Sequence, residues 1–306
     1  MDLPFGYRFR APTWDDVDAV AALLVDDQLV DGVEPTLDKS FLRPVWSRPD
    51  FDLGADAWVV TDEAGTIVAY GQARLDEPDL VGSWGVVHPE QRGRGIGTAL
   101  FDRIEARAAE LLAGVDSPRF RHALNARDAA AAAMAGARGL RPYRHSWHMQ
   151  IDLDGPIEPT TGPPGITISG IEPPEDLLAV HAILESAFAE DPADHPEPFD
   201  RWLHELVTSP SYDPSLWLLA RDRDVPVGVL TASARDGGWV DNLAVLSSHR
   251  GRGLGHALLG RSFATFAERG MRRVTLNVDA QNVTGATAVY ERAGMRVVNA
   301  WDLWER

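Results

Sequence analysis

VVHPEQRGRGIGTAL (residues 86–100) and AVLSSHRGRGLGHAL (residues 244–258) are two copies of one pattern: an apolar run, a polar turn, Arg-Gly-Arg-Gly-x-Gly, and an apolar continuation. Arg92, Gly93, Arg94, Gly95 and Gly97 recur as Arg250, Gly251, Arg252, Gly253 and Gly255, 158 positions on. Downstream, Arg138-Gly139-Leu140-Arg141 is matched by Ala293-Gly294-Met295-Arg296, 155 positions on. Repeats in the same order at so long a period mean two copies of a whole domain, not a solenoid. Between them DLDGPIEPTTGPPG (152–165) has little to bury and reads as an exposed linker. The reading is therefore a domain over 1–152, a linker over 153–165 and a second domain over 166–306.

Working outward, the periodicities give the same order of elements in each half. In the second half they predict a strand at 166–170, helices at 175–190 and 199–207, two strands in SLWLLAR and VPVGVLTASA, and a central strand WVDNLAV. A helix at 255–269, a strand VTLNVDA, a helix at 286–292 and a final strand at 296–305 follow. In the first half they predict strands at 7–10, 57–61, 66–75 and 83–88, and helices at 14–30, 37–46 and 97–113, with a weaker tail. Strands and helices interleaved in this way make each half an α/β domain.

Composition narrows the function. The chain has 306 residues, 44% hydrophobic and 25% charged, which is ordinary for a globular protein. No run of about 18 apolar residues is present, so no membrane span is expected. The N-terminal MDLPFGYRFR has no basic flank and apolar run of a secretory signal. With no cysteine, disulfides, thiolate metal sites and cysteine nucleophiles are excluded, and a cytoplasmic protein is the expectation. A net charge of −17 argues against nucleic acid and anionic membranes and favours a cationic or amine-bearing partner, although solubility alone also accounts for it. Lys39 is the one lysine among 29 basic residues, a bias that, with the many alanines, points to GC-rich bacterial coding.

Glycines between a strand and a helix let the backbone turn sharply and let a ligand approach the main chain. The first amides of the helix have no internal partner, and with the helix dipole they suit a phosphate. The arginines can add charge-assisted bonds to a diphosphate. The competing reading is a turn that binds nothing, which two copies in the same context weaken. A nucleotide-hydrolase loop needs Gly-Lys followed by Ser or Thr, which neither copy has. The dinucleotide fingerprint has a different glycine spacing and sits near the start of its domain, whereas here at least three strands precede the loop.

Gln91 to Gly97 resembles the pyrophosphate-binding signature Gln/Arg-x-x-Gly-x-Gly/Ala of the GNAT superfamily of acyl-CoA N-acyltransferases; the second copy has His249 in place of the glutamine. LNVDAQNVTGATAVYERAGM (276–295) is similar to the family's later segment, in which an Asn precedes a helix bearing a Tyr. The tandem arrangement resembles that of mycothiol synthase-like proteins, though no residue singles out that substrate. The resemblance implies two tandem GNAT-like domains, each a twisted, mixed and mainly antiparallel sheet with helices on both faces. It implies acetyl-CoA as acyl donor, no metal, and direct attack of an amine on the thioester. Its diphosphate and pantetheine cradle would run through Leu243, Ala244, Val245, Arg250, Gly251, Arg252, Gly253, Leu254 and Gly255, with Asn282 on the pantetheine arm or as a helix cap. In the first half the matching cradle is Val86, Val87, Gln91, Arg92, Gly93, Arg94, Gly95, Ile96 and Gly97.

The reaction needs a route for the amine's proton, stabilisation of the oxyanion, and an acid for the leaving thiolate. The resemblance gives Tyr290 the acid role, against the alternative of a packing tyrosine. Asp241 is two residues before Leu243 and four before Val245, so strict alternation along a strand puts all three on one face. The family's carboxylate at such a position acts as base or orders water; the alternative is a solvated acid. In the first half, counting back from the glycines places Ser83 where Asp241 stands, and counting back from Gly139 places Ala135 where Tyr290 stands. Neither can do the chemistry, so the first domain is expected to be catalytically degenerate and the second to catalyse.

AEDPADHPEPFDRW (189–202), with Asp194 and His195, is an acidic stretch expected near Asp241 and Trp239, where it would suit a cationic amine; the alternative, favoured for most of its residues, is a solvated loop made acidic by overall composition. His145 and His148 would face opposite sides of a strand and read as no metal site. The leading expectation is an N-acetyltransferase of a small-molecule primary amine, as a monomer with an internal pseudo-dimer or as a homodimer. The alternative is a non-enzymatic acyl-CoA sensor or scaffold.

Overall fold

The computed structural model describes residues 3–30, 39–155, 157–189, 196–209, 211–235, 237–280 and 285–306. In chain order the first half gives β1 (Arg8–Arg10), α1 (Val17–Val30), α2 (Lys39–Trp46), α3 (Leu53–Asp56), β2 (Ala57–Thr61), β3 (Ile67–Glu77), β4 (Leu80–Val87), α4 (Ile96–Leu111), β5 (Arg119–Asn125), α5 (Ala129–Ala137) and β6 (Arg141–Asp152). The second gives β7 (Ile166–Gly170), α6 (Leu177–Phe188), α7 (Phe199–Thr208), β8 (Leu218–Asp222), β9 (Val225–Arg235), β10 (Gly237–Val245), α8 (Leu254–Glu268), β11 (Arg273–Asp279), α9 (Ala286–Arg292) and β12 (Arg296–Glu305).

Two compact units result: Met1–Trp147 with Asp279–Gln281 and Val298–Arg306, and His148–Val278 with Asn282–Val297. The sequence reading cuts the chain once, in the linker; here residues 148–165 belong with the second unit and most of β12 with the first. Backbone pairing decides this, because a strand settles where a ladder offers it partners. β12 pairs antiparallel with β5, from Trp301↔Asn125 to Glu305↔Arg121. β6 neighbours β11 in the second unit. Residues 157–165 form neither helix nor strand, yet Thr160 packs on α8 at Gly260, where any larger residue would meet its side chain.

In the first unit the strand order is β1-β2-β3-β4-β5-β12, antiparallel except for the β4–β5 pair. Every residue of β2 is buried, because helices cover both faces of the sheet. Trp58 and Val60 pack with Ile96, Leu100, Phe101 and Ile104 of α4. Ala57 and Val59 pack on the other face with Val20 and Leu24 of α1 and Trp46 of α2. The second unit repeats this with the order β6-β11-β10-β9-β8-β7, β10 and β11 being parallel. Both α6 and α8 pack on β9 and β10. Each unit is thus a mixed, mainly antiparallel sheet with helices on both faces, the α/β class expected.

Candidate active site

In each unit the glycine loop leaves its strand through one 3-10 turn, Pro89–Gln91 or Ser247–His249, and enters α4 or α8. Gly93 and Gly95 have φ of 75° and 85°, and Gly251 and Gly253 have 73° and 84°. This left-handed backbone explains the glycines. Gly95 and Gly253 occupy the helix N-cap, and neither helix has a side-chain cap. Its first amides are left for an anion.

The side chains of Val86, Ile96, Ala244 and Leu254 are buried in the core, so these expected cradle residues have only their main chain to offer a ligand. The first arginine of each loop turns back on the protein. Arg92 donates to the Val87 carbonyl at 3.4 Å and to Asp27 of α1 at 2.6 Å. Arg250 donates to the Val245 carbonyl at 3.1 Å and to that of Ala187 at 3.3 Å. These arginines brace the strand end. Arg94 reaches the Tyr7 hydroxyl and the Glu90 carbonyl, and Tyr7 in turn donates to Gln91 at 2.7 Å. In the second loop His249 lies 3.2 Å from Asp222, and Arg252 is 3.9 Å from the same carboxylate.

The two units differ at the central strand. β10 pairs Val240 with Ala232 and Asn242 with Thr231, so Asp241 is the extra residue of a β-bulge. β4 crosses the same stretch without one, pairing Ser83 with Ala73 and Trp84 with Gln72. The parallel pairs agree: Val81↔Phe120 corresponds to Gly238↔Val274. Ser83 therefore matches Val240, and Asp241 has no counterpart in the first unit. Counting back from the glycines misses this because the inserted residue shifts the repeat by one. The Ser83 hydroxyl lies instead against the buried His122 ring at 2.8 Å, on the α4 side, and donates to the Arg121 carbonyl at 2.9 Å.

The bulge also overturns the strict alternation expected of Asp241, Leu243 and Val245. Asp241 and its neighbour Asn242 both line one pocket, whereas the Leu243 side chain lies beside Gly255 at the start of α8. The parallel pairing of β10 with β11 covers Gly238 and Trp239 and stops before the bulge. In the first unit the matching pairing runs on to Trp84↔Ala123. The β10 main chain from Asn242 to Val245 therefore lies beyond the β11 ladder, as a slot for an extended ligand arm requires.

The pocket, ≈ 140 Å³, lies between β9–β10 and α6–α7 and is walled by Leu184, Trp202, Tyr212 and Trp217. Ser233 donates to the Asp241 carboxylate at 3.3 Å, and Asn242 donates to the Thr231 hydroxyl at 3.0 Å. In the first unit the matching ground is filled by aromatic packing: Tyr70 lies 5.1 Å from Trp84, and Phe41 5.8 Å from it. Trp239 does not line this pocket; it packs on His148 at 5.5 Å, and His148 bonds Asn277 at 2.8 Å. His145 is tied to Asp302 of the first unit at 2.5 Å. Among the described residues no group of His, Cys, Asp or Glu could hold a metal ion. Asp194, His195 and Asn282 lie outside the described residues.

Tyr290 sits on α9, only 7% exposed, and burial pushes its phenol up to about 12. That burial keeps the hydroxyl protonated through the physiological range. Nothing in the sequence marks Trp202, Tyr212 or Asn242 as pocket residues. Trp202 belongs to an amphipathic face that reads as core, and a bulge leaves no mark in the strand's own sequence.

A model of the acetyltransferase (GNAT) family matches residues 177–295, and a model of the acetyltransferase (GNAT) domain matches residues 54–134. A protein of Salinispora arenicola named mycothiol acetyltransferase is 35% identical over 94% of this chain and 91% of its own. One of Thermobispora bispora with the same name is 32% identical over 91% and 92%.

The chain belongs to the GNAT acetyltransferase family.

A GCN5-related N-acetyltransferase from Sphaerobacter thermophilus shares the architecture with a TM-score of 0.86 and 33% identity, covering 100% of this chain and 96% of its own. A tandem GNAT protein from the clavulanic acid biosynthesis pathway shares the fold, with a TM-score of 0.65, 20% identity and 98% of each chain covered. The protein is thus an N-acetyltransferase made of two GNAT domains, and GNAT acetyltransferases use acetyl-CoA. Among the described residues no helix is long and apolar enough to cross a membrane.

Proposed function

We propose that the second unit transfers the acetyl group of acetyl-CoA directly to the primary amine of a small molecule, as the relatives' name suggests. Acetyl-CoA supplies the activated acyl group. The amides opening α8 receive its diphosphate, and the β10 main chain at Leu243 and Val245 lies along its pantetheine arm. Asp241 takes the proton lost by the attacking amine. Tyr290, neutral through the physiological range, returns a proton to the departing thiolate. Asn282 stays with this reading as a donor-side residue and Asp194 and His195 as acceptor-side residues, while Trp239, packed on His148, drops out of the acceptor wall.

The observation that carries the reading is the bulge. It turns Asp241 into the pocket and ends the β10–β11 pairing at the same place, so base and donor slot arise from one inserted residue. The first unit lacks the bulge, the carboxylate and the phenol, which supports its being degenerate. The test is thiol release from acetyl-CoA by the full chain with a panel of amines that includes the acceptor of the mycothiol acetyltransferases. Asp241→Asn lowers turnover by roughly 10²–10⁴-fold if the assignment holds, and unchanged turnover removes Asp241 from the mechanism.

A further inference from the structure

The two glycine loops hold their second arginine in chemically different ways. In the first unit Gln91 and Arg94 converge on the Tyr7 hydroxyl, a neutral group. In the second, His249 and Arg252 converge on a carboxylate at the end of β8. His249 Nε2 lies 3.2 Å from Asp222 Oδ2, and Arg252 lies 3.9 Å from the same oxygen. From its own turn His249 meets the Ser248 hydroxyl at 2.9 Å. The neighbouring charges are turned elsewhere or cancel. Arg221 of β8 bonds Asp176 at 2.6 Å, and Arg250 bonds the carbonyls of Val245 and Ala187. Arg223 and Asp224, in the turn after β8, are exposed and of opposite sign.

Asp222 therefore sets a negative charge beside the loop read above as the seat of a diphosphate. Ionised, it repels that anion and competes with it for Arg252. Histidine is the side chain that changes charge near neutral pH. A protonated His249 pairs with Asp222, offsets its charge and releases Arg252 to the phosphates. A neutral His249 leaves Arg252 to Asp222. We propose that His249 and Asp222 couple donor binding to pH: the second loop takes up a proton at His249 as the diphosphate of acetyl-CoA binds, and affinity for the donor rises as the pH falls. By linkage, anion and proton favour each other's binding. The first loop has no such coupling, since neither Gln91 nor the Tyr7 phenol changes charge near neutral pH. The inference rests on the reading of the start of α8 as the diphosphate seat and adds a control to it.

The test is calorimetric titration of the full chain with dephospho-CoA, in pairs of buffers that differ in heat of ionisation. This ligand lacks the 3′-phosphate, so proton uptake between about pH 5.5 and 8 belongs to the protein. The Kd is about fivefold or more lower at the acid end, with net proton uptake on binding. His249→Gln, which installs the residue of the first loop, flattens the profile to within about twofold. Asp222→Asn tightens binding at the alkaline end by about threefold or more, a gain that damage to the fold does not give. A Kd independent of pH, binding without proton uptake, a profile that survives His249→Gln, or weaker binding in Asp222→Asn overturns the inference and leaves the diphosphate seat standing. Binding that Gly253→Ala leaves unchanged, or no binding at either pH, defeats the seat itself and the coupling with it.

Discussion

Ala135 and Tyr290 hold one position in two copies of the same turn. The Ala135 carbonyl accepts the amide of Leu140 at 3.2 Å, and the Tyr290 carbonyl accepts that of Met295 at 3.0 Å. Just before each of those donors stands a left-handed glycine, Gly139 with φ 84° and Gly294 with φ 90°. The scaffold that carries the phenol is therefore intact in both units, and only the side chain differs.

Tyr290→Phe removes the donor without disturbing that turn. Turnover falls by roughly 10²–10⁴-fold while the KM for acetyl-CoA stays within about twofold. Since the phenol is pushed up to about 12, wild-type rates show no alkaline loss from its ionisation below about pH 11. Ala135→Tyr restores nothing in the Tyr290→Phe background, because the first unit has neither the bulge nor the open pocket. Steady-state thiol release against pH checks all three.

The duplication, the strand-to-helix loops and the order of elements were legible in the sequence, since glycine spacing and apolar period survive in both halves. The predicted bounds of β2, β7, α9 and β12 agree with the structure. The tail of the first half was not legible: α5 is almost all alanine, and a stripe cannot be read where every residue is alike. The two features that shape the site were hidden for different reasons. A bulge is a mismatch between two strands, and it shows only when partners are known. The placement of β12 with the first unit depends on which ladder has an open edge, a property of the assembled sheet rather than of RVVNAWDLWE itself.

Burial of His122 beside Ser83 makes the first unit sensitive to acid. Desolvation pushes its imidazole from 6.5 down to about 3. Between those values the unfolded chain binds a proton that the folded one refuses, so the stability is complete above pH 6.5 and is lost as pH falls toward 3. The slope from this group is about 1.4 kcal/mol per pH unit. Denaturant unfolding at pH 7, 6 and 5 measures it, and His122→Gln, which keeps a polar partner for Ser83, flattens the profile.

The two glycine loops separate by substitution. A Cβ at Gly253 meets nothing within 4 Å, so Gly253→Ala costs only backbone strain, about 1–2 kcal/mol. It distorts the N-cap proposed to receive the diphosphate, and the KM for acetyl-CoA is expected to rise several-fold. Gly95→Ala imposes the same strain on a φ of 85° in the first unit and leaves that KM unchanged. Equal effects of the two variants would assign the working donor site to both units.

Asn242 and Trp84 occupy equivalent places, each paired across the sheet with a polar residue, Thr231 or Gln72. In the first unit the indole of Trp84 fills the ground against Tyr70 and Phe41; in the second the smaller amide leaves a pocket. Asn242→Trp therefore carries the first unit's plug into the second. Its indole is too large for a pocket of ≈ 140 Å³ to admit alongside an acceptor. The KM for the amine rises by at least about tenfold, or turnover vanishes, while affinity for CoA measured by calorimetry holds. The proposed donor slot lies on the β11 side of the strand and is left alone. Loss of CoA binding together with turnover would mean that the pocket and the slot are not independent, and that Asp241 serves the donor rather than the acceptor.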